Sequence, residues 1–340
     1  MKGAFGALLL LGLSAAAGAD QPVILRIATP APDGTAWARE LKAFARDISA
    51  QTNGALQVKW YLGGIAGDEV QVMERIRRDQ LDGVGSGGML CDRLSPLMRA
   101  MHVLTQTREQ AFYAMNRLTP AISEEFKKNG FMYLGGAGLG PDVLFTREPV
   151  RSVAELRAKR LWVWDLDEVI ALQLPAVGMR AVPLPVNEAA RAYDNAKVDG
   201  FVAVPVAALA FQWSAQARYV TDLRLGFLSG CILVSSKAFD TIPIDSREPF
   251  KAAAAKLQAR MQDLGRQQDD ALLNGLFAHQ GLHPVPVTAR FRSEYDAAAR
   301  EAQQQLGEKL APRAQLDKIL ALLAEFNRQH EAGDPKSAAR

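Results

Sequence analysis

Short β-rich runs alternate with amphipathic helical segments through the first part of the chain. Residues 24–29 alternate in hydrophobicity and predict a strand, and residues 35–51 repeat apolar side chains at helical spacing. The pattern continues with a strand at 56–62, a helix at 68–80 and a strand at 81–86. A β-α-β-α-β order predicts a sheet with helices packed on its faces.

The rest of the chain predicts a second α/β unit. Further helices and strands are expected at 108–118, 120–128, 131–134, 167–174, 180–184, 188–196 (capped by Asn187), 247–280, 285–287, 292–306 and 316–329. A flexible glycine-rich segment at 135–140 precedes a crossing into this unit at 142–147, and the β-rich run 223–235 is long enough to return. Two units joined in this way predict a hinged pair whose ligand cleft lies between them.

The N-terminus has the parts of a cleavable secretory signal. A basic start precedes a short apolar core at residues 4–17 and small residues up to Ala19. The apolar core is shorter than the roughly 20 residues of a membrane span. We therefore expect residues 1–19 to be a signal peptide cleaved near Ala19, a mature chain without stable membrane insertion, and a disordered tail at 331–340.

Charge and cysteine content limit the possible partners. The net charge is +3 over 340 residues, and no basic block indicates a nucleic acid or a membrane surface. With 49% hydrophobic residues the chain can bury a sizeable core. Cys91 and Cys231 could pair after export, but a chain of this size does not need a covalent link, so we expect two separately buried thiols.

Motifs that would indicate catalysis are weak. Gly83, Gly85 and Gly88 have the spacing of a dinucleotide fingerprint, but they follow a helix and begin inside a predicted strand. They predict instead a strand end that a ligand or the other unit approaches closely. The four histidines are scattered and no nucleophile elbow is present, so we expect no enzyme, no metal and no cofactor.

Two segments carry a family resemblance. The first, 155–163, contains Trp162, and the second, 188–200, ends in Asp199 and Gly200. Together they resemble the DctP-like solute-binding proteins of tripartite ATP-independent periplasmic (TRAP) transporters. The resemblance extends through most of the chain, up to the last helix.

The resemblance implies an α/β, two-lobed fold like that of periplasmic binding proteins. Each lobe would be a mixed sheet flanked by helices, with a ligand cleft between the lobes and a long helix bridging them. Lobe I is expected to contain residues 20–141 and 231–272, and lobe II residues 142–230 and 273–330. The implied function is a periplasmic receptor that captures a small molecule and delivers it to TRAP membrane permease subunits.

The resemblance also implies which residues face the ligand. The family's carboxylate-clamping arginine falls on Trp162, and its other ligand-contacting positions fall near Asp142, Ala203, Gly87 and Pro30, so none of these positions is cationic. A buried carboxylate without a cationic partner is costly. We therefore expect a hydrophobic or weakly polar ligand other than a dicarboxylate. The expected apolar lining is Trp162, Val186, Phe201, Ala203, Phe145 and Trp213.

Two alternatives remain open. Trp162 and Asp142 together could bind a cationic ligand, because tryptophan faces attract cations and a carboxylate neutralises them. A chain that lacks the arginine clamp could also have kept the fold as a ligand-less interaction protein or as a carrier for another system.

Overall fold

The computed structural model describes residues 21–331, apart from the side chains at positions 269, 270, 274 and 331. The predicted signal peptide and residues 332–340 of the predicted tail lie outside this part. The described chain forms two mixed sheets, each covered by helices on both faces. This architecture confirms the predicted α/β class and the two lobes.

Strands and helices alternate along much of the described chain. The strands are β1 (Val23–Ala28), β2 (Leu56–Tyr61), β3 (Gly83–Ser86), β4 (Phe131–Pro141), β5 (Val143–Thr146), β6 (Arg160–Trp164), β7 (Arg180–Leu184), β8 (Gly200–Ala203), β9 (Tyr219–Thr221), β10 (Phe227–Ser235) and β11 (His283–Val285). The helices are α1 (Ala36–Gln51), α2 (Glu69–Arg77), α3 (Met89–Leu94), α4 (Pro96–Leu104), α5 (Arg108–Lys128), α6 (Val153–Arg157), α7 (Glu168–Ala176), α8 (Val186–Asp194), α9 (Pro205–Ala210), α10 (Ser236–Asp240), α11 (Ile244–Ala271), α12 (Phe277–His279), α13 (Ala289–Leu306) and α14 (Arg313–Glu331). A π-helical turn, Leu272–Leu276, joins α11 to α12, and 3₁₀ turns lie at Trp213–Gln216 and Gly307–Lys309.

The first sheet has the strand order β2-β1-β3-β10-β4. β1 runs parallel to β2 and β3, whereas β10 is antiparallel to β3 and β4. Phe44 of α1 and Phe250 of α11 pack on one face. Phe126 of α5 and Ile319 of α14 pack on the other. The predicted return of residues 223–235 to this sheet is confirmed by the position of β10.

The second sheet has the strand order β11-β9-β5-β8-β6-β7. Alternate residues of β6 face opposite sides, as the period of a strand requires. Trp162 packs with the residues of α8, while Leu161 and Val163 pack with those of α7 and α13. The predicted strand at 180–184 is confirmed with the same bounds, as β7.

The chain crosses between the sheets at adjacent points. β4 continues into β5 through Asp142, and β9 leads into β10 through residues 222–226. The Asp142 N–H donates to the Gly226 carbonyl at 2.9 Å, and the Leu225 N–H donates to the Asp142 carbonyl at 2.9 Å, so the two crossings lie side by side. α11 packs on the first sheet and its continuation places Leu272 in the second core, which confirms the predicted bridging helix.

The structure differs from the prediction at two places in the first lobe. Residues 108–128 form one helix, α5, with Pro120 inside it, because its apolar side chains pack on the core along the whole length. Residues 135–140 form the second half of β4 rather than a flexible link. Glycine is needed there for close packing, since a Cβ on Gly138 would lie 2.6 Å from the Phe227 ring.

Several boundaries also move. α8 begins at Val186, with Pro185 at its N-cap in place of the predicted Asn187, because proline already holds the extended backbone from which the helix starts. The strand predicted at 285–287 lies two residues earlier, as β11. β10 and α14 pack in the first lobe, which extends that lobe beyond the predicted 20–141 and 231–272.

A disulfide joins Cys91 of α3 to Cys231 of β10, where two separate thiols were expected. The two residues are 140 positions apart, so no local pattern indicates the pairing. They meet because β10 pairs with β3, which places Cys231 opposite Ser86 at the strand end that leads into α3. The bond agrees with folding in an oxidising compartment.

Candidate ligand-binding site

A cavity of about 320 Å³ lies between the two sheets. The first lobe contributes the segment that follows β1, the end of β3, parts of β4 and β10, and one side of α1 and α11. The second lobe contributes β6, β8, α9 and the 3₁₀ turn that follows α9. This position matches the predicted cleft, since ligand sites in two-lobed proteins form where the lobes meet.

Tryptophan is the main aromatic residue of the cavity wall. Of the five tryptophans in the chain, four line the cavity, namely Trp37, Trp162, Trp164 and Trp213. The fifth, Trp60, packs instead against Phe44 in the first-lobe core. Indole rings offer large apolar faces, so the wall can bind flat or aliphatic apolar groups.

Trp162 belongs both to the cavity wall and to the core of the second lobe. Its side chain is only 2% exposed, and its indole N–H donates to the Leu184 carbonyl at 3.0 Å. The Trp213 ring meets it edge-on, with 4.9 Å between the ring centroids. Because the N–H is already bonded within the protein, Trp162 can offer a ligand only apolar ring surface.

Most of the predicted site residues lie at the cavity. The ones that line it are Trp162, Asp142, Ala203, Gly87, Pro30 and Trp213. Phe145, Phe201 and Val186, which were also expected to line it, lie behind the wall: Phe145 and Phe201 are buried in the core, and the partly buried Val186 packs against it. Phe145 and Phe201 stack at 4.9 Å on paired strands, and Phe201 lies two residues deeper than Ala203 on the same face of β8.

The glycine-rich end of β3 lies at the cavity, where a ligand was expected to approach, and its close neighbour in the structure is β10 of the same sheet. Gly85, Ser86 and Gly87 line the cavity, and a Cβ on Gly88 would lie 2.4 Å from the Leu228 side chain. Glu69 of α2, which the sequence analysis missed, fixes this turn through hydrogen bonds. Local sequence offers no signal for its role, because its partners come from a different element.

Glu69 is buried and accepts three hydrogen bonds. They come from the N–H of Gly87 at 2.5 Å, the N–H of Leu90 at 2.7 Å and the hydroxyl of Ser86 at 2.8 Å. Burial raises the pKa of this carboxyl, and the three donors oppose the rise. Donors at this end of the cavity are therefore already bonded to a carboxylate of the protein itself.

The sequence analysis also missed the cavity-lining residues of α11 and of α9, the helix that follows β8. Ala254, Leu257, Gln258 and Met261 line the cavity at spacings of three and four, which is one face of a helix. The helical pattern of this stretch was visible in the sequence, but nothing distinguishes a face that lines a cavity from a face that packs on a sheet.

The ionisable groups at the cavity are acidic. Among the described residues that line it, Asp142 and Asp167 are the titratable side chains, and none is arginine, lysine or histidine. An anionic ligand would therefore lose its hydration without gaining a cationic partner.

Asp142 belongs to a buried cluster at the crossing between the sheets. His102 of α4 is 1% exposed, and its Nδ1 lies 2.6 Å from Asp92 Oδ2 while its Nε2 lies 2.9 Å from Asp142 Oδ2. Burial lowers the pKa of His102, but the two carboxylates outweigh it and hold that pKa well above the usual value. A protonated imidazole then donates to both carboxylates, so Asp142 already has its counter-ion within the protein.

Asp167 is the N-cap residue of α7 and comes from the second lobe. Its Oδ1 accepts a hydrogen bond from the Ile170 N–H at 3.0 Å. Burial raises the pKa of Asp167 to about 7, with the Asp142 carboxylate adding to the rise and His102 opposing it. This group can thus change charge near neutral pH.

Two α/β lobes that are joined by paired crossings and enclose a cavity define a solute-binding protein of the two-lobed class. Residues 27–310 match the family described as bacterial extracellular solute-binding protein, family 7 (DctP), and the chain belongs to this family. No curated protein gives a match. Membership makes the protein a TRAP-type solute receptor rather than an enzyme, and the family implies membrane permease subunits as partners and the periplasm as its location. Among the described residues, no helix combines the length and hydrophobicity needed to cross a membrane.

Solved structures share the fold. DctP7, an extracytoplasmic solute receptor from Bordetella pertussis that binds pyroglutamic acid, has 18% identity and a TM-score of 0.77, covering 88% of this chain and 98% of its own. A TRAP receptor from Haemophilus influenzae RdAW with bound L-gulonate has 17% identity and a TM-score of 0.80, covering 88% and 99%. One from Desulfovibrio salexigens with bound orotic acid has 17% identity and a TM-score of 0.78, covering 90% and 99%.

Proposed function

We propose that this receptor captures a small hydrophobic or weakly polar molecule, other than a dicarboxylate, and delivers it to the TRAP permease subunits. The observation that supports the proposal is the absence of arginine, lysine and histidine from the described residues that line the cavity. The solved neighbours bind organic acids, so this chain would differ from them in ligand class.

The energetics favour an uncharged ligand. Burying about 200 Å² of apolar ligand surface contributes roughly 5 kcal/mol at about 25 cal/mol per Å². A carboxylate placed in the same cavity would face Asp142 and Asp167 with no cation to offset its desolvation. The same walls therefore favour an apolar molecule and disfavour an organic acid.

A cationic ligand is a weaker alternative. Trp162 presents ring surface to the cavity, but Asp142 is hydrogen-bonded to His102 and does not need a further cation. A protein that binds no ligand is also less well supported, because a cavity of about 320 Å³ is present and apolar residues from both lobes line it. Native mass spectrometry of freshly purified protein would identify a co-purified apolar molecule directly.

Succinate is expected not to bind. The protein should show no rise in melting temperature with millimolar succinate, because stabilisation by a ligand requires binding to the folded state. Neutral aromatic and alkyl compounds in the same assay should raise it. Binding of succinate at micromolar concentration would contradict the proposed ligand class.

Trp164→Ala is expected to weaken binding of indole, used as a neutral probe, by about tenfold or more, since an aromatic contact contributes about 1 kcal/mol beyond its buried area. Trp164 lines the cavity and is only half-buried, so its truncation leaves the core in place. Trp60→Ala is the matched control, because Trp60 is also half-buried but lies outside the cavity wall. Equal loss of affinity in both variants, measured by isothermal titration calorimetry, would contradict the assignment.

A further inference from the structure

Two members of the buried acidic cluster, Asp142 and Asp167, line the cavity, and Asp167 is the more exposed of the two. Asp92, His102 and Asp142 are buried, whereas Asp167 is half-buried. It also belongs to the second lobe, while His102 belongs to the first. A ligand held between the lobes would therefore lie against this carboxyl.

The cluster is short of positive charge. The imidazole of His102 bonds to Asp92 and Asp142 at 2.6 and 2.9 Å, and it affects the third carboxylate, Asp167, only through its charge. Asp167 has the Ile170 N–H as its hydrogen-bond donor. Ionising Asp167 thus adds a negative charge that no cation in the cluster neutralises.

The other charged groups beside Asp167 are bonded elsewhere. Arg93 and Arg99 border the same small crevice as Asp167, but they form ion pairs with Glu168 at 3.1 and 2.8 Å. Tyr295 of α13 interacts with Asp142 and is buried, and burial raises its pKa far from neutrality. Asp167 is then the group whose charge can respond to a ligand near pH 7.

We propose that Asp167 determines which charge class of ligand the cavity accepts, because a neutral apolar ligand binds together with a proton on this carboxyl. The inference rests on the proposed function. An apolar ligand displaces the water that still reaches Asp167, and loss of water favours the neutral form of a carboxyl. The bound state therefore holds the proton more tightly than the free state.

The direction of the pH dependence follows from linkage. In the ligand-free protein the pKa of Asp167 is about 7, so its carboxyl is mostly neutral at pH 6 and mostly ionised at pH 8.5. Binding of a neutral ligand then requires proton uptake above pH 7, so affinity falls by up to about tenfold per pH unit. A cationic ligand would favour the ionised form and would bind more tightly as the pH rises.

Three probes that differ in charge test the proposal, namely indole, tryptamine and indole-3-acetate. Calorimetric titration is carried out between pH 6 and 9 in two buffers of different ionisation enthalpy, so that proton uptake is measured directly. We expect indole to bind best at pH 6, to lose about tenfold or more in affinity by pH 8.5, and to take up close to one proton at the higher pH. Tryptamine and indole-3-acetate should bind more weakly than indole at pH 6.

Asp167→Asn separates titration from structure, because asparagine keeps the N-cap bond to Ile170 but does not ionise. This variant should bind indole with the same affinity at every pH. Asp165→Asn, at an exposed position on the same loop, should keep the wild-type pH profile.

The two failures can be told apart. Indole binding that does not vary with pH in the wild type, or that varies equally in Asp167→Asn, overturns this inference and leaves the proposed function standing. Tryptamine binding that exceeds that of indole at pH 6, where Asp167 is mostly neutral, overturns it in favour of a cationic ligand. No binding of any probe at any pH contradicts the proposed function and the inference together.

Discussion

Replacing His102 with alanine is expected to lower the unfolding free energy by about 3–5 kcal/mol, because it leaves two carboxylates buried without their counter-ion. Asp92 and Asp142 each lie within hydrogen-bond distance of the imidazole, at 2.6 and 2.9 Å, and neither is more than 7% exposed. Asp142 also joins the two crossings between the sheets through its backbone. The loss should therefore appear as a lower midpoint in urea denaturation followed by circular dichroism.

The pH dependence of this stabilisation has a definite sign. The pKa of His102 is raised in the folded protein above its usual 6.5, so the folded state binds the proton more tightly than the unfolded state. The stabilisation is then fully present below pH 6.5 and is lost as the pH rises through the raised value. The difference in unfolding free energy between the wild type and His102→Ala should accordingly be largest at acidic to neutral pH and shrink under alkaline conditions.

Two further variants control for this interpretation. His279→Ala removes an exposed histidine and should change stability by less than about 0.5 kcal/mol. His102→Ala combined with Asp142→Asn should recover part of the lost stability, because one of the unpaired charges is then absent. If the double variant is no more stable than His102→Ala, the effect comes from the lost volume of the ring and the counter-ion argument fails.

The sequence could predict the parts of the fold that depend on local patterns. Periodicity and length predict the β-α-β-α-β beginning, the strand at 180–184 (β7) and the pairing of β10 with the first sheet. The breaks expected at Pro120 and at residues 135–140 were wrong because packing on the core outweighs local preference there. Tertiary contacts of that kind cannot be read from composition.

The candidate site also contains residues that the sequence could predict and residues that it could not. The position of Trp162 at the cavity was predictable from the family resemblance, and its role in the core was the competing interpretation; the structure shows both. His102 was one of four scattered histidines in the sequence, and its partners lie 10 and 40 positions away. Glu69 likewise meets its donors 17 to 21 positions along the chain. Such networks have no periodic pattern, so only coordinates reveal them.

Reduction of the disulfide between Cys91 and Cys231 is expected to cost about 2–5 kcal/mol of unfolding free energy, toward the upper end because the bond closes a long loop. The two residues are 140 positions apart, so the link restricts a large part of the unfolded chain. It also connects α3 to β10, and Cys231 itself lines the cavity. The protein should therefore unfold at a lower urea concentration in the presence of a reductant.

The matched control is the double variant Cys91→Ala and Cys231→Ala, which should be less stable than the oxidised wild type and insensitive to reductant. Both side chains are at most 3% exposed, so alanine leaves only small gaps, and most of the loss should come from the missing link. A reductant that lowers the stability of both proteins equally would show that it acts on something other than this bond. Equal stability of the oxidised wild type and the double variant would contradict a stabilising role, because loop closure predicts a difference that grows with the length of the enclosed chain.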